Sequence, residues 1–226
     1  MTSFKGYIEA QGRRSPQERQ TLLPVVTVSR EAGAGAVSVG RLVASRLNKR
    51  QGREADCPWT IFDRNLVEKV LEDHDLPRRI RRFMPEDTIH LFQDALEEQL
   101  GLHPSNWTLV QHTAETILHL AHLGNAILVG RGANMVTAHL TNALHVRLVA
   151  PVDWRIRHVA EYFEFTEKEA TRYVHATDAA RRRYVRRNFG VSVEDPLHYD
   201  LVINTGQLGF ENAARLVVQA LSRLPK

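Results

Sequence analysis

Five short runs rich in valine, isoleucine and leucine recur along the 226-residue chain, and segments with helical patterning separate them. Each run is apolar on both faces, which is typical of strands buried inside a parallel sheet. Strands that alternate with helices predict an α/β fold in which helices cover both faces of a five-stranded parallel sheet. The runs are PVVTVS (24–29), WTIFD (59–63), NAILVG (125–130), ALHVRLVAP (143–151) and YDLVINT (199–205).

Length and composition predict one domain behind a polar leader. A chain of 226 residues fits a single domain with an inserted subdomain. Residues 1–23 lack the apolar core of a signal peptide, so we expect a flexible leader before a domain at 24–226. The single cysteine, Cys57, excludes an intramolecular disulfide. No apolar run reaches the roughly 20 residues of a membrane span, so we expect a cytoplasmic protein without a membrane partner.

The segment SREAGAGAVS (29–38) follows the first predicted strand and leads into an amphipathic helix. Gly33 and Gly35 allow a tight turn that points backbone N–H groups at one place, and the helix adds its positive end. Ser38 can offer a hydroxyl to a phosphate or to a metal-bound water, and Arg30 supplies a positive charge. The segment therefore predicts a phosphate site, with a turn that serves only strand–helix packing as the alternative.

An arginine between two glycines, in GRGAN (130–134), follows the third predicted strand. Ligands of parallel α/β sheets bind beyond the carboxyl ends of the strands, which is where Arg131 stands. A guanidinium there can hold a phosphate through two hydrogen bonds, and the glycines allow close approach. The alternative is a surface turn with a solvated arginine.

The segment TDAARRRYVRRNFG (177–190) is strongly basic and has helical spacing. An arginine-rich helix that closes over a polyphosphate neutralises charge on a transferred phosphoryl group. Two alternatives remain for it. One is a solvated helix face, and the other is a patch that binds RNA or an acidic protein, with Tyr184 available for stacking.

Taken together, six segments resemble the cytidylate kinase-like family, bacterial relatives of the nucleoside monophosphate kinases. They are VTVSREAGAGAVSVGRLVASRL, IFDRNLV, ILVGRGANMV, LHVRLVAPVDWRIRHVA, TDAARRRYVRRNFG and YDLVINT. The resemblance implies a P-loop kinase fold with a helical acceptor-binding subdomain at about 66–123 and an arginine-bearing lid at about 166–190. It implies transfer of the γ-phosphoryl group of ATP to CMP or dCMP with Mg²⁺. Nucleotides are then the expected partners, and nucleic acid is not expected.

The resemblance also implies roles for individual residues. Those expected around the ATP phosphates are Ser29, Glu31, Gly33, Ala34, Gly35, Ala36, Val37 and Ser38. Those expected at the acceptor are Asp63, Arg64, Arg131 and Asp178. The catalytic arginines are expected to be Arg30, Arg131, Arg181, Arg186 and Arg187. Ser38 is also the expected contact to the metal, through a water.

The chain departs from the family pattern at the centre of the phosphate site. Ala36 stands where true cytidylate kinases have the P-loop lysine, and Val37 and Ser38 stand where cytidylate kinase-like proteins usually have Arg-Glu. Gly132 replaces a carboxylate that follows the arginine in cytidylate kinases. Loss of one such preorganised group costs about 2.7–4 kcal/mol of transition-state stabilisation. Two alternatives to a kinase therefore stay open: a nucleotide-binding regulatory protein without transfer activity, and a module that binds RNA or an acidic partner.

Overall fold

The computed structural model describes residues 4–14, 22–52, 57–63, 107–130 and 132–224. The strands within these residues are β1 (Val25–Arg30), β2 (Thr60–Phe62), β3 (Ala126–Val129), β4 (Ala143–Val149) and β5 (Leu201–Asn204). They form one parallel sheet in the order β2-β3-β1-β4-β5. The predicted five-stranded parallel α/β fold is confirmed.

Helices connect the strands and cover the sheet. They are α1 (Phe4–Arg13), α2 (Ala36–Gln51), α3 (Trp107–Leu123), α4 (Ala133–Val136), α5 (Val152–Phe163), α6 (Glu167–Phe189) and α7 (Thr205–Leu221), and a 3₁₀ turn covers Pro196–His198. None of the helices in the described residues is both long enough and apolar enough to cross a bilayer. Of the predicted acceptor subdomain at 66–123, residues 66–106 lie outside the described residues, and α3 makes up the rest.

The core lies on both faces of the sheet because successive side chains of a strand point in opposite directions. On β1, Val26 and Val28 pack with side chains of α2 and α7. The neighbouring Val25 faces the other way and packs with Ile117 and Leu120 of α3. Burial on both faces explains why the strand reads as a continuous apolar run.

The leader differs from the expectation of a flexible segment, because residues 4–13 form α1. Tyr7 and Gln11 on this helix are fully buried. The Tyr7 hydroxyl donates to the carbonyl of Gly124 at 2.6 Å, and Gln11 Nε2 donates to the carbonyl of Leu123 at 3.3 Å. These bonds satisfy carbonyls at the C-terminal end of α3, which an α-helix leaves without intrahelical partners. α1 is therefore held at the amino edge of the sheet.

Helices α5 and α6 lie at the opposite, carboxyl edge, and α6 covers most of the predicted lid at 166–190. A capping box begins α6: the Thr166 hydroxyl accepts the Glu169 N–H at 3.4 Å, and the Glu169 carboxylate accepts the Thr166 N–H at 2.8 Å. Gly190 ends α6 in the left-handed conformation, with φ 72°. The predicted lid is thus largely one 23-residue helix.

Candidate functional site

The loop of residues 31–35 joins β1 to α2 at the carboxyl edge of the sheet, and we call it the glycine loop. Gly33 and Gly35 adopt φ of 82° and 77°, in the left-handed region that favours glycine. Gly35 is the N-cap of α2, and no side chain caps this helix. The first N–H groups of a helix have no intrahelical acceptor, so those of α2 stay available for an anion beside the positive helix end.

Packing above the glycine loop also requires its glycines. A Cβ on Gly33 would stand 2.7 Å from the backbone oxygen of Arg155, and one on Gly35 would overlap the ring of Phe210. His158 Nδ1 lies 2.7 Å from the carbonyl oxygen of Gly33. The His158 ring stacks on Trp154, with centroids 5.2 Å apart. The loop is therefore held from outside by α5 and α7 as well as by its own turn.

A buried ion network fixes the start of the glycine loop. Asp178 on α6 accepts the N–H of Ala32 at 2.6 Å and pairs with Arg155 Nη1 at 2.6 Å. Arg155 is 93% buried, since only 7% of its surface is exposed. Its guanidinium also donates to the carbonyl of Ala32 and lies 3.3 Å from the Glu31 carboxylate. Glu31 in turn accepts the N–H of Ala150 at 3.0 Å, so one network ties the loop to α5 and α6.

Both carboxylates of this network are thus turned towards Arg155. Glu31 was expected at the ATP phosphates and Asp178 at the acceptor, and both lie within ion-pair distance of the same guanidinium. In the part of the chain that the structure describes, no group of three His, Cys, Asp or Glu side chains is arranged to hold a metal ion. Ser38, predicted at the phosphate site, lies in the first turn of α2 and is half-buried.

Two of the expected catalytic arginines stand beside the glycine loop. Arg30 ends β1, and its guanidinium lies against Gly130, so closely that a Cβ there would overlap it. Arg181 Nη1 on α6 donates to the carbonyl of Arg30 at 3.3 Å and lies 3.8 Å from Asp178. The structure therefore brings two positive charges to one end of the loop, one from the sheet and one from α6.

Other expected residues lie further away or outside the described residues. Arg186 and Arg187 are exposed, five and six residues beyond Arg181 on α6, which is about 8–9 Å along the helix axis. Arg131 and Arg64 lie outside the described residues. Asp63 directly follows β2 at the carboxyl edge. The remaining expected residues (Ala34, Ala36, Val37) have apolar side chains and offer only backbone polar groups. Ala36, the first residue of α2, is 6% exposed and packs into the core.

Ser29 lies outside the glycine loop, on the α3 face of the sheet. Successive side chains of a strand face opposite sides, so Ser29 and Arg30 point in opposite directions. Its hydroxyl accepts from Arg147 Nη1 at 3.3 Å and lies 3.2 Å from the Tyr199 hydroxyl. Tyr199 also donates to the carbonyl of Val193 at 2.8 Å, and its ring lies 5.7 Å from the Arg147 guanidinium. This cluster joins the end of β1 to the segment that follows α6.

Sequence reasoning missed three residues that shape the site: Arg155, His158 and Arg147. Arg147 carried a signal, because it interrupts an otherwise apolar strand and is 94% buried there, with 6% of its surface exposed. Arg155 and His158 lie on α5, three residues apart, and both contact backbone oxygens of the glycine loop. Their contacts join residues more than 120 positions apart in the chain, so no local sequence pattern predicts these contacts.

Comparison with known proteins adds a family match. The model of the cytidylate kinase-like family matches residues 25–207. A cytidylate kinase of Sulfolobus acidocaldarius is 31% identical over 85 residues, which are 38% of this chain and 47% of that protein. A uronate isomerase of Corynebacterium glutamicum is 27% identical over 97 residues, 43% of this chain and 19% of that protein. The chain thus spans less than half the length of either relative.

One solved structure shares the fold over most of its length. An uncharacterised protein from Eubacterium ventriosum superposes with a TM-score of 0.60 and 17% identity. The match covers 88% of this chain and 99% of that one. At this identity the likeness shows a common arrangement of strands and helices, and it carries no statement about activity.

Proposed function

Because the chain belongs to the cytidylate kinase-like family, we propose that it binds ATP at the glycine loop and transfers the γ-phosphoryl group to a nucleoside monophosphate, CMP or dCMP. One observation carries the proposal. The uncapped start of α2 points its N–H groups to the same edge of the sheet at which Arg30 and Arg181 meet. Such a set of donors and cations suits a polyphosphate.

The protein's own groups would divide the work in this reaction. The N–H groups of the first turn of α2 would bind phosphate oxygens and fix the donor. Arg30 and Arg181 would stabilise charge on the transferred group, a part that the P-loop lysine has in other kinases. Ala36 cannot contribute a charge, and its methyl group is buried in the core. The arginines are therefore the groups on which the rate should depend.

Mg²⁺ would neutralise the phosphates and keep them in place for transfer. Among the described carboxylates of the site, Glu31 and Asp178 are already paired with Arg155. The Ser38 hydroxyl fits a metal-bound water because it lies in the first turn of α2. We therefore propose that phosphate oxygens and waters supply most ligands of the ion, with Ser38 as the protein's contact.

The second candidate is a nucleotide-binding regulatory protein without turnover, and Ala36 is the observation that favours it. The glycine loop would still bind phosphates through its backbone. Charge stabilisation in the transition state would be too small for useful transfer. Binding without turnover is the behaviour that separates this candidate from the kinase.

The test measures ADP release from Mg·ATP with CMP, dCMP, UMP, AMP and GMP offered one at a time. The kinase predicts acceptor-dependent turnover, largest with CMP or dCMP. Replacing Arg181 by Met should lower kcat by about 10²–10³-fold. The matched control is Arg183→Met, an exposed residue of the same helix, which should stay near the native rate.

Thermal melts with and without ATP complete the test. Nucleotide at about 100 times Kd adds about 2.7 kcal/mol of stability, which raises Tm by about 5–11 °C for a chain of this size. Stabilisation without turnover for any acceptor would replace the kinase by the regulatory candidate. A chain that neither turns over nor gains stability would refute both.

A further inference from the structure

A groove of about 600 Å³ runs between the C-terminal half of α2 and helix α7. We call it the cationic groove and define it by Arg46, Lys49, Arg50, Leu208, Arg215 and Leu216. Lys49 and Arg50 follow the start of α2 by 13 and 14 residues, about 20 Å along the helix. The basic part of the groove is therefore separate from the glycine loop.

The charges of the groove are mostly unneutralised within the part of the chain that the structure describes. Arg46 pairs with Glu211, whereas Lys49 and Arg50 have no carboxylate partner there. Arg215, on the opposite wall, donates to the amide oxygen of Asn212 rather than to a carboxylate. Positive charge thus borders the groove on both sides, from α2 and from α7.

The groove lining also exposes two leucines of α7. Leu208 is 41% exposed and Leu216 is 40% exposed. Large apolar side chains that stand together in a concavity rimmed by polar groups are characteristic of an interaction site. An occupant that fits this lining brings an apolar surface for the leucines and negative charge for the cations.

We propose that the cationic groove binds an acidic amphipathic α-helix of a partner protein. A helix with one apolar stripe and carboxylates on its flanks offers apolar contacts to the leucines and charged partners to the cations of the groove. Carboxylates of such a helix would pair with Lys49 and Arg50 on one side and with Arg215 on the other. This inference does not rest on phosphoryl transfer.

The composition of the groove argues against two other occupants. Single-stranded nucleic acid binds where aromatic side chains stack on its bases, and the groove lining within the described residues holds no aromatic residue. A symmetric contact with a second copy would bring the same cations face to face, because a two-fold interface pairs identical patches. An acidic helix meets neither difficulty.

The experiment measures fluorescence anisotropy of a labelled synthetic peptide of about 18 residues, five helical turns, added to the full chain. The peptide carries leucines on one face and glutamates along both flanks of that face. Its scrambled form has the same composition without the apolar face. We expect the patterned peptide to bind at least about tenfold more tightly than the scrambled one, because leucine burial needs the pattern.

Two variant pairs link this binding to the groove. The double change Lys49→Glu with Arg50→Glu should weaken the patterned peptide at least about tenfold. Its control, Arg41→Glu with Arg183→Glu, makes the same charge change at exposed positions outside the groove and should change affinity less than about twofold. Leu216→Ser should weaken binding by about fivefold or more, and Leu197→Ser, at an 89% exposed leucine elsewhere, should not.

Each other outcome overturns the proposal. Equal binding of both peptides, or equal loss in both charge variants, would mean nonspecific attraction to a basic protein. The groove would be a nucleic-acid site if a single-stranded RNA bound more tightly than the patterned peptide and the Lys49 and Arg50 changes abolished RNA binding. The groove would be a contact between copies of this chain if light scattering showed a concentration-dependent dimer and Leu216→Ser dissociated that dimer. Thermal melts establish that every variant is folded before binding is compared.

Discussion

Replacing Asp178 by Ala should destabilise the protein more than any exposed charge change on α6. Asp178 accepts the Ala32 N–H at 2.6 Å and neutralises Arg155, which is 93% buried with 7% exposed. Removing one partner of a buried pair costs about 3–5 kcal/mol, because the remaining charge stays buried. Glu31 still lies 3.3 Å from Arg155, so we expect the lower end, about 3 kcal/mol. That corresponds to a decrease in Tm of about 6–12 °C.

Urea unfolding and thermal melts measure the change, and two variants serve as references. Asp178→Asn keeps an oxygen for the Ala32 N–H but removes the charge, so its loss of stability should be smaller than that of the alanine variant. Glu194→Ala removes the carboxylate of an exposed pair, in which Arg182 and Glu194 are 52% and 60% exposed. Such a pair contributes about 0–1 kcal/mol.

Asp178→Ala should also affect the response to nucleotide. Since Asp178 holds the Ala32 N–H of the glycine loop, the alanine variant should also gain less stability from added ATP than the native chain does. The expected loss of stability would be refuted if the Tm of Asp178→Ala lay within about 2 °C of the native Tm, or no lower than the Tm of Glu194→Ala. Either result would mean that the network around Arg155 relaxes without its second carboxylate.

Three more changes test other parts of the fold. Gly35→Ala combines a left-handed φ of 77° with an overlap with Phe210, so urea unfolding should show a loss of about 1–3 kcal/mol of stability. Adding Phe210→Leu to the same chain should restore only part of that stability. Tyr7→Phe leaves the Gly124 carbonyl without its donor and should cost about 1–3 kcal/mol, while turnover stays native because this contact lies at the opposite edge. Burial lowers the pKa of His122 from 6.5 to about 4. The unfolded chain therefore binds the proton more readily than the folded chain. The free energy of unfolding should fall as pH decreases from about 6.5 towards 4. His122→Gln should make that decrease smaller, and an unchanged pH profile would contradict it.

The fold was predictable from sequence because its signals are local. Each strand is a short apolar run, and α6 has its own start signal, the Thr166 and Glu169 pair. The loop between β1 and α2 was predictable for the same reason, since Gly33 and Gly35 mark positions with positive φ. These features depend on neighbours in the chain, and tertiary packing reinforces them.

The shape of the candidate site was less predictable because distant side chains set it. Asp178 is 146 positions away from Ala32, whose N–H it binds. The family resemblance implied a place for Asp178 at the acceptor, and sequence alone gave no sign that its carboxylate pairs with Arg155. The leader shows the same limit: its composition is polar, yet Tyr7 and Gln11 are buried against the end of α3.

The absence of a lysine at Ala36 changes how the site depends on α6. A lysine on α2 would deliver its charge from the same element that supplies the phosphate-binding N–H groups. Here the charge at the loop comes from Arg30 and from Arg181, and Arg181 shares α6 with Asp178. A shift of α6 would therefore move the Arg181 charge and release the tether of the Ala32 N–H together. Loop geometry and charge supply are coupled in this chain, so nucleotide affinity and transfer rate should respond together to changes along α6.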